Sequence, residues 1–168
     1  MLRQILVADD DEAVSNILRL ALEDNGTCAV TCASDCDTAE RLLDSSPPHL
    51  AIIDVAMRPG QSVKSGLALA ISATRRYIPV ILMTAHPDLA EALETSSLPL
   101  LSKPFRVAQL RRRVRDVLAL AAEDRSRVRA AIEELVKCRD EAAHRVAQLE
   151  MLSSQVPAIL AGRRPESN

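Results

Sequence analysis

Short apolar runs alternate with amphipathic stretches along the first part of the chain. The apolar runs predict five β-strands, at residues 4–8, 27–31, 49–54, 79–84 and 98–102. Apolar residues at helical spacing between these runs predict helices, at about 14–22, 36–44, 64–76 and 87–95. Regular alternation of strand and helix is typical of an α/β fold.

Two of the predicted strands indicate how the sheet is covered. Residues 50–53 and 80–83 are apolar at every position instead of every second one. This pattern is expected where helices cover both faces of a parallel sheet. We therefore predict a doubly wound, five-stranded parallel sheet. Ligands of such sheets bind beyond the carboxyl ends of the strands.

Polar residues follow four of the predicted strands. Asp9 and Asp10 come directly after the first strand. Asp54 ends the third strand, Thr84 ends the fourth, and Lys103 comes directly after the fifth. Like charges at the end of a buried strand are costly unless positive charge lies nearby. We therefore expect Lys103 and a bound cation to lie beside the acids.

This set of groups favours phosphoryl chemistry. Two or three carboxylates with room for water suit Mg²⁺, which often completes its shell with a phosphoryl oxygen. A carboxylate can itself attack phosphorus and form an acyl phosphate. The metal, an amine and a hydroxyl then balance the charge of the transferring group.

Four motifs carry a family resemblance: "LVADDDE", "LAIIDVAM", "PVILMTAH" and "LSKPF". In their order and spacing they resemble the receiver domain of two-component response regulators, over about residues 3–120. The resemblance implies a flavodoxin-like sheet with strand order 2-1-3-4-5. The resemblance implies that Asp9 and Asp10 hold Mg²⁺ together with Asp54, which is the phospho-acceptor. It also implies that Ala56 lends its backbone carbonyl to the metal.

The same resemblance assigns roles to the last two strand ends. Thr84 matches the switch hydroxyl, and Lys103 matches the lysine that contacts the phosphoryl group and precedes a cis proline. The implied partners are a sensor histidine kinase or a histidine phosphotransfer protein, and a downstream protein target. Catalysis is then limited to the domain's own phosphoryl transfer and hydrolysis, so the chain is expected to be a signalling protein and not an enzyme.

Other residues depart from the family pattern or allow two interpretations. Residues 54–66 are expected to form a loop that is several residues longer than is usual in the family. It is either functional, as a mobile flap or a contact for the kinase, or a tolerated surface insertion. Leu100 stands where the family commonly has the Tyr or Phe that rotates on phosphorylation. His86 is either a modulator of hydrolysis or an exposed histidine without a role. Ala56 and Leu100 are further candidate modulators of the site. Asp11 is expected to cap the first helix and not to bind metal.

A long helix is predicted after the receiver region. Residues 105–156 contain neither Gly nor Pro. We divide the chain into a receiver domain at 1–120, a helical extension at 121–156 and a flexible tail at 157–168. A widened heptad pattern in the extension predicts a coiled coil or bundle and a homodimer. A break near 123–127 would instead give a separate helix.

One stretch of the extension resembles the phospho-accepting helix of histidine kinases. In "DEAAHRVAQLEML", at 140–152, acidic residues precede His-Arg-Val. His144 is then either a phosphorelay histidine or an ordinary exposed one. Two function classes are open for the whole chain: a phosphorylation-dependent switch, or a receiver-fold scaffold that acts through its C-terminal helix without phosphorylation.

Composition limits the remaining possibilities. The net charge of -2, one Tyr and one Phe give no reason to expect a nucleic-acid partner. No apolar stretch reaches the roughly 20 residues that cross a membrane, and the N-terminus lacks a signal-peptide pattern, so a cytoplasmic location is expected. The four cysteines lack metal-site spacing, and Cys28 and Cys32 are expected to be small buried hydrophobes.

Overall fold

The computed structural model describes residues 2–57, 65–94 and 98–162. The chain divides into two units, Met1–Ala122 and Glu123–Asn168. The strands are β1 (Arg3–Ala8), β2 (Cys28–Ala33), β3 (Leu50–Asp54), β4 (Val80–Thr84) and β5 (Leu100–Ser102). The helices are α1 (Glu12–Glu23), α2 (Cys36–Ser45), α3 (Gly66–Arg75), α4 (Pro87–Glu94) and α5 (Val107–Gly162).

The five strands form one parallel sheet in the order β2-β1-β3-β4-β5. The predicted fold class and strand order are therefore confirmed. Both all-apolar strands, β3 and β4, are buried at every position. Each has a strand on either side and helices on both faces, which is why their sequence does not alternate.

Two apolar clusters cover the two faces of the sheet. Leu18 of α1 and Leu110 of α5 pack with Ile52 on one face. Leu43 of α2 and Leu69 of α3 pack with Ile53 on the other. Neighbouring residues of β3 thus point to opposite faces, as the pleat of a strand requires. The first unit is a three-layer α/β/α sandwich.

Side-chain caps fix where the helices begin beside the sheet. Asp11 caps α1, since its Oδ1 accepts hydrogen bonds from the N–H groups of Ala13 (2.8 Å) and Val14 (3.3 Å). Asp35 caps α2 in the same way, through Thr38. The predicted capping role of Asp11 is therefore confirmed. Each cap satisfies backbone donors that the first turn of a helix leaves without partners.

The prediction for β2 was wrong in part. The strand begins one residue later than predicted and runs to Ala33. Cys28 is half-buried, but Cys32 is exposed. β2 is an edge strand with a single neighbour, so part of its side chains remains at the surface. Partial burial nevertheless raises the pKa of the Cys32 thiol.

The long helix was predicted correctly but ends later than expected. α5 continues without a break through residues 123–127 and extends to Gly162, past the predicted end at 156. The helix therefore passes through Pro157, a residue type that usually ends a helix because it lacks a backbone N–H donor, and this is why the sequence predicted an end at 156. None of the described helices has the length and apolar composition that crossing a membrane requires.

Candidate functional site

Acidic side chains meet at the carboxyl edge of the sheet. Asp9 follows β1 directly, and Asp54 is the last residue of β3; both are buried, whereas Asp10 is half-buried. Each of these three residues offers a carboxylate oxygen, and the three oxygens lie within 4.8 Å of one another. The strand order makes this possible because β1 and β3 are neighbours in the sheet.

Lys103 joins two of these acids from the end of β5. Its Nζ lies 2.7 Å from Asp9 Oδ2 and 2.8 Å from Asp54 Oδ2. Burial lowers the pKa of Lys103, but its hydrogen bonds to Asp54 and Asp9 outweigh that effect and hold the pKa above its usual value. The ammonium group therefore stays charged and balances part of the negative charge at this edge. The Lys103–Pro104 peptide bond is cis.

The acidic cluster fits a hydrated Mg²⁺ ion. Mg²⁺ prefers oxygen ligands and is usually held by one or two carboxylates while it keeps several waters. Asp9, Asp10 and Asp54 supply such oxygens, and Asp10 stays partly open to solvent. The Asp54 carboxylate is also oriented from its own chain, because Ala56 N–H donates to Asp54 Oδ1 at 3.0 Å.

Gly66 is a residue near the site that the sequence analysis missed. It is the first residue of α3, and its backbone approaches the peptide of Asp54. A Cβ atom added at Gly66 would lie 1.9 Å from the Asp54 carbonyl oxygen. Only glycine permits this approach. The signal in the sequence was a glycine at the start of the helix after β3, the strand that ends at Asp54.

Comparison with known proteins identifies the family. Residues 5–115 match the family model described as the response regulator receiver domain. The chain belongs to this family. It is 30% identical over 153 residues to the phosphate regulon transcriptional regulatory protein PhoB of Klebsiella pneumoniae, covering 87% of this chain and 64% of that protein. It thus spans less than two thirds of this relative.

Two further matches agree with this identification. Protein PetR of Rhodobacter capsulatus is 33% identical over 123 residues, which cover 71% of this chain and 50% of PetR. A CheY-like receiver domain protein from Methanospirillum hungatei superposes with a TM-score of 0.64 at 19% identity, covering 74% of this chain and 99% of that one. At that identity the structural match shows the fold alone.

The other predicted residues of the receiver site are Thr84, His86, Ala56 and Leu100. Thr84 is buried at the end of β4, and its Oγ1 accepts a hydrogen bond from His86 N–H at 3.1 Å. The side chain of His86 is exposed, as is Ala56. Leu100 is half-buried and packs against the apolar cluster that α2 and α3 form with one face of the sheet. The metal contact of Ala56 and the modulator roles of Ala56, His86 and Leu100 stay predictions.

Two predicted features lie outside the receiver site or outside the described residues. The inserted loop includes residues 58–64, which are not among those described. His144 is exposed on α5, in the second unit. Its proposed relay role stays a prediction.

The ion pairs of Lys103 predict a specific alkaline loss of stability. A raised pKa in the folded state means that the folded chain binds this proton more tightly than the unfolded chain. The stabilisation is therefore complete below the ordinary lysine pKa, about 10.4, and is lost as pH rises through the folded value. Urea unfolding at pH 8 and pH 11 measures this loss.

The matched control is Lys103→Met, which keeps a long side chain but has no proton to lose. We expect the free energy of unfolding to fall more steeply with pH in the wild type than in this variant. Other groups that titrate in the same range are present in both proteins and cancel in the comparison. Equal falls in the two proteins would show that the ion pairs do not contribute.

Proposed function

We propose that this receiver accepts a phosphoryl group on Asp54 in a Mg²⁺-dependent reaction and signals through protein contacts. The observation that carries the proposal is the position of Asp54. Its carboxylate ends β3, lies 2.8 Å from the Lys103 ammonium group and shares an acidic cluster with Asp9 and Asp10. A nucleophilic carboxylate, a cationic partner and metal-binding oxygens are thus gathered at one edge of the sheet.

The proposed step is a transfer from a phosphohistidine. A carboxylate oxygen of Asp54 attacks the phosphorus atom, and a P–O bond forms while the P–N bond to the donor imidazole breaks. The imidazole nitrogen keeps the electron pair of that bond and takes a proton. The product on this chain is an acyl phosphate.

The neighbouring side chains lower the barrier by balancing charge. Asp9, Asp10 and Asp54 would hold Mg²⁺, which would supply positive charge for the oxygens of the transferring group. Lys103 is already held beside Asp54, where its ammonium group can contact an oxygen of the transferred group. Thr84 ends the neighbouring strand β4, from which its hydroxyl can donate to the phosphorylated group. These groups are oriented before transfer, which reduces the reorganisation that the reaction requires.

The proposed donor is a sensor histidine kinase or a histidine phosphotransfer protein, and the proposed output is a downstream protein target. PhoB is named as a transcriptional regulatory protein, but this chain spans only 64% of it. We propose no direct nucleic-acid contact for these residues, since their net charge is -2 and aromatic residues are nearly absent. A cytoplasmic location is part of the same proposal.

We also propose that two copies of the chain associate through the C-terminal helix. Every residue from 123 to 147 is exposed, including Ile132 and Leu135. Apolar side chains recurring along one helix favour burial against a partner surface. A second copy is the commonest partner for such a surface. This exposure also favours the alternative function, in which the helix acts without phosphorylation.

Phosphoramidate distinguishes the two functions, since its P–N bond resembles that of phosphohistidine. We expect the full chain to gain the mass of one phosphoryl group in the presence of Mg²⁺, and to gain none when EDTA replaces the metal. A chain that remains unlabelled while folded would favour the phosphorylation-independent scaffold. Circular dichroism on the same samples verifies that the chain is folded.

Mg²⁺ should also stabilise the folded receiver. Binding to the folded state alone contributes about 2.7 kcal/mol at a concentration 100 times the dissociation constant. We therefore expect the melting temperature to rise with Mg²⁺ concentration. Asp10→Asn should remove most of this rise, because it replaces a charged ligand with a neutral one.

The matched control is Asp11→Asn, one residue farther along the chain. Asn caps helices about as well as Asp, and Asp11 is not part of the acidic cluster. This variant should keep the full response to Mg²⁺. An equal loss in both variants would mean that general negative charge, and not a metal site, causes the stabilisation.

A further inference from the structure

The second unit presents an apolar stripe at heptad spacing. Val128, Ile132, Leu135 and Val146 are 59%, 55%, 69% and 54% exposed. Steps of four, three and eleven residues separate them, so they recur on one side of the helix. Val136, 41% exposed, lies beside these positions and widens the stripe. Such a stripe can be covered by one partner helix or by several, and in either direction.

We propose that residues 124–146 form a parallel, in-register, two-stranded coiled coil with a second copy of this chain. This inference rests on the proposed pairing of two copies and adds its direction, register and strand number. Three features of the helix support it: the residue types in the core positions, the spacing of two arginines, and the charges beside the core.

The residue types favour two strands. When Ile132 is placed at heptad position a, Val146 also falls at a and Leu135 falls at d. β-branched residues at a with leucine at d favour parallel dimers over trimers and tetramers. Val128 and Ala142 occupy the other d positions in this range. The apolar layers can therefore pack in the manner of a two-stranded coil.

Two arginines at a positions determine the register. Arg125 and Arg139 lie one heptad before and one heptad after Ile132. In the in-register parallel pair, each residue at an a or d position faces the same residue of the other copy, so each arginine faces an arginine. A shift by one heptad would place arginine against Ile132 and bury charge beside an apolar side chain, which is costly. Polar residues at a positions commonly specify register for this reason.

The long arginine side chains can carry their charge out of the core. The guanidinium group of Arg139 pairs with the next residue along the helix: its Nε and Nη2 lie 2.9 Å and 2.8 Å from Oδ1 of Asp140. Asp140 occupies an outward position of the heptad. The stem of Arg139 can then cover the apolar layer while the guanidinium group remains in water.

Charges beside the core favour the parallel direction. Asp124 lies at position g and Arg129 at the following e position. In a parallel pair, a g residue of one helix lies beside the following e residue of the other, so this attraction occurs twice. Antiparallel pairing in which Arg139 faces Val128 or Leu135 would oppose charged and apolar side chains. The same sequence therefore disfavours these antiparallel registers.

Charge exchange at this pair tests direction and register together. We expect Asp124→Arg and Arg129→Asp each to weaken dimerisation of the full chain by about tenfold, because two attractions become two repulsions. The double variant should recover most of the wild-type dissociation constant. Sedimentation equilibrium measures the three constants, and circular dichroism verifies the helix content of each variant.

Cysteine cross-linking provides a second, independent readout. In a background that carries Cys32→Ser and Cys138→Ser, Ile132→Cys should give a covalent dimer on mild oxidation, because position 132 faces its own copy. Lys137→Cys, at the outward f position, is the matched control and should give none. If the wild type is a dimer but the double variant does not recover its dissociation constant and position 132 does not cross-link, the parallel in-register arrangement is wrong while the pairing itself stands. A monomeric wild type would overturn the pairing as well, and neither result bears on phosphorylation of Asp54.

Discussion

Asp54→Asn is expected to lose Mg²⁺-dependent labelling by acetyl phosphate almost completely. The amide that replaces the carboxylate is a far weaker nucleophile and cannot form the same acyl phosphate, so labelling should fall below about 1% of the wild-type level. Asn has nearly the same size as Asp and retains an oxygen that can accept the Ala56 N–H. The loss can then be attributed to chemistry and not to a change of fold.

The control for this variant is Asp11→Asn, which makes the same substitution at the nearby helix cap. Asp11 bonds to the first turn of α1, and Asn preserves such bonds. This protein should label at the wild-type rate. Full labelling of Asp54→Asn, measured by intact mass, would move the phospho-acceptor to another residue.

Gly66→Ala is expected to slow phosphorylation strongly while leaving most of the fold intact. The new Cβ would meet the Asp54 carbonyl oxygen at 1.9 Å, so α3 and the end of β3 must separate by about 1 Å. A displacement of this size at a reacting group can reduce the rate by about 100-fold. Gly66 has no side chain to contact the transferred group, so an effect of this substitution on the rate would come through the position of Asp54.

Gly26→Ala is the matched glycine control. Gly26 has a φ of 61°, but nothing lies within 4 Å of the added Cβ. The strain should cost about 1–2 kcal/mol of stability without affecting the rate of labelling. The effect on the reaction is measured by initial labelling rates and Mg²⁺ half-saturation. The effect on stability is measured by urea unfolding. A Gly66→Ala protein that is destabilised but labels at the wild-type rate would show that the contact serves the fold only.

The sheet could be predicted from the sequence because its signals are local. All-apolar strands such as 50–53 directly reflect burial on two faces, and the acids and the lysine stand where those strands end. Strand order then determines which ends are neighbours. The convergence of Asp9, Asp54 and Lys103 follows from these few features.

Other features depend on contacts that no short pattern encodes. The approach of Gly66 to Asp54 joins residues that lie 12 positions apart in the sequence, and a glycine before an apolar stretch does not by itself reveal such a contact. The exposure of Cys32 depends on the edge position of β2, which residues 27–31 do not reveal. The extension of α5 beyond 156 could not be predicted because Pro157 is a residue type that normally ends a helix.

Peptide mapping of the full chain after treatment with acetyl phosphate tests the central claim most directly. We expect one phosphoryl group per chain in the presence of Mg²⁺, located on the peptide that contains Asp54, and none in the presence of EDTA. A phosphoryl group on another residue, or a folded chain that remains unlabelled with Mg²⁺, would contradict the proposed role of Asp54.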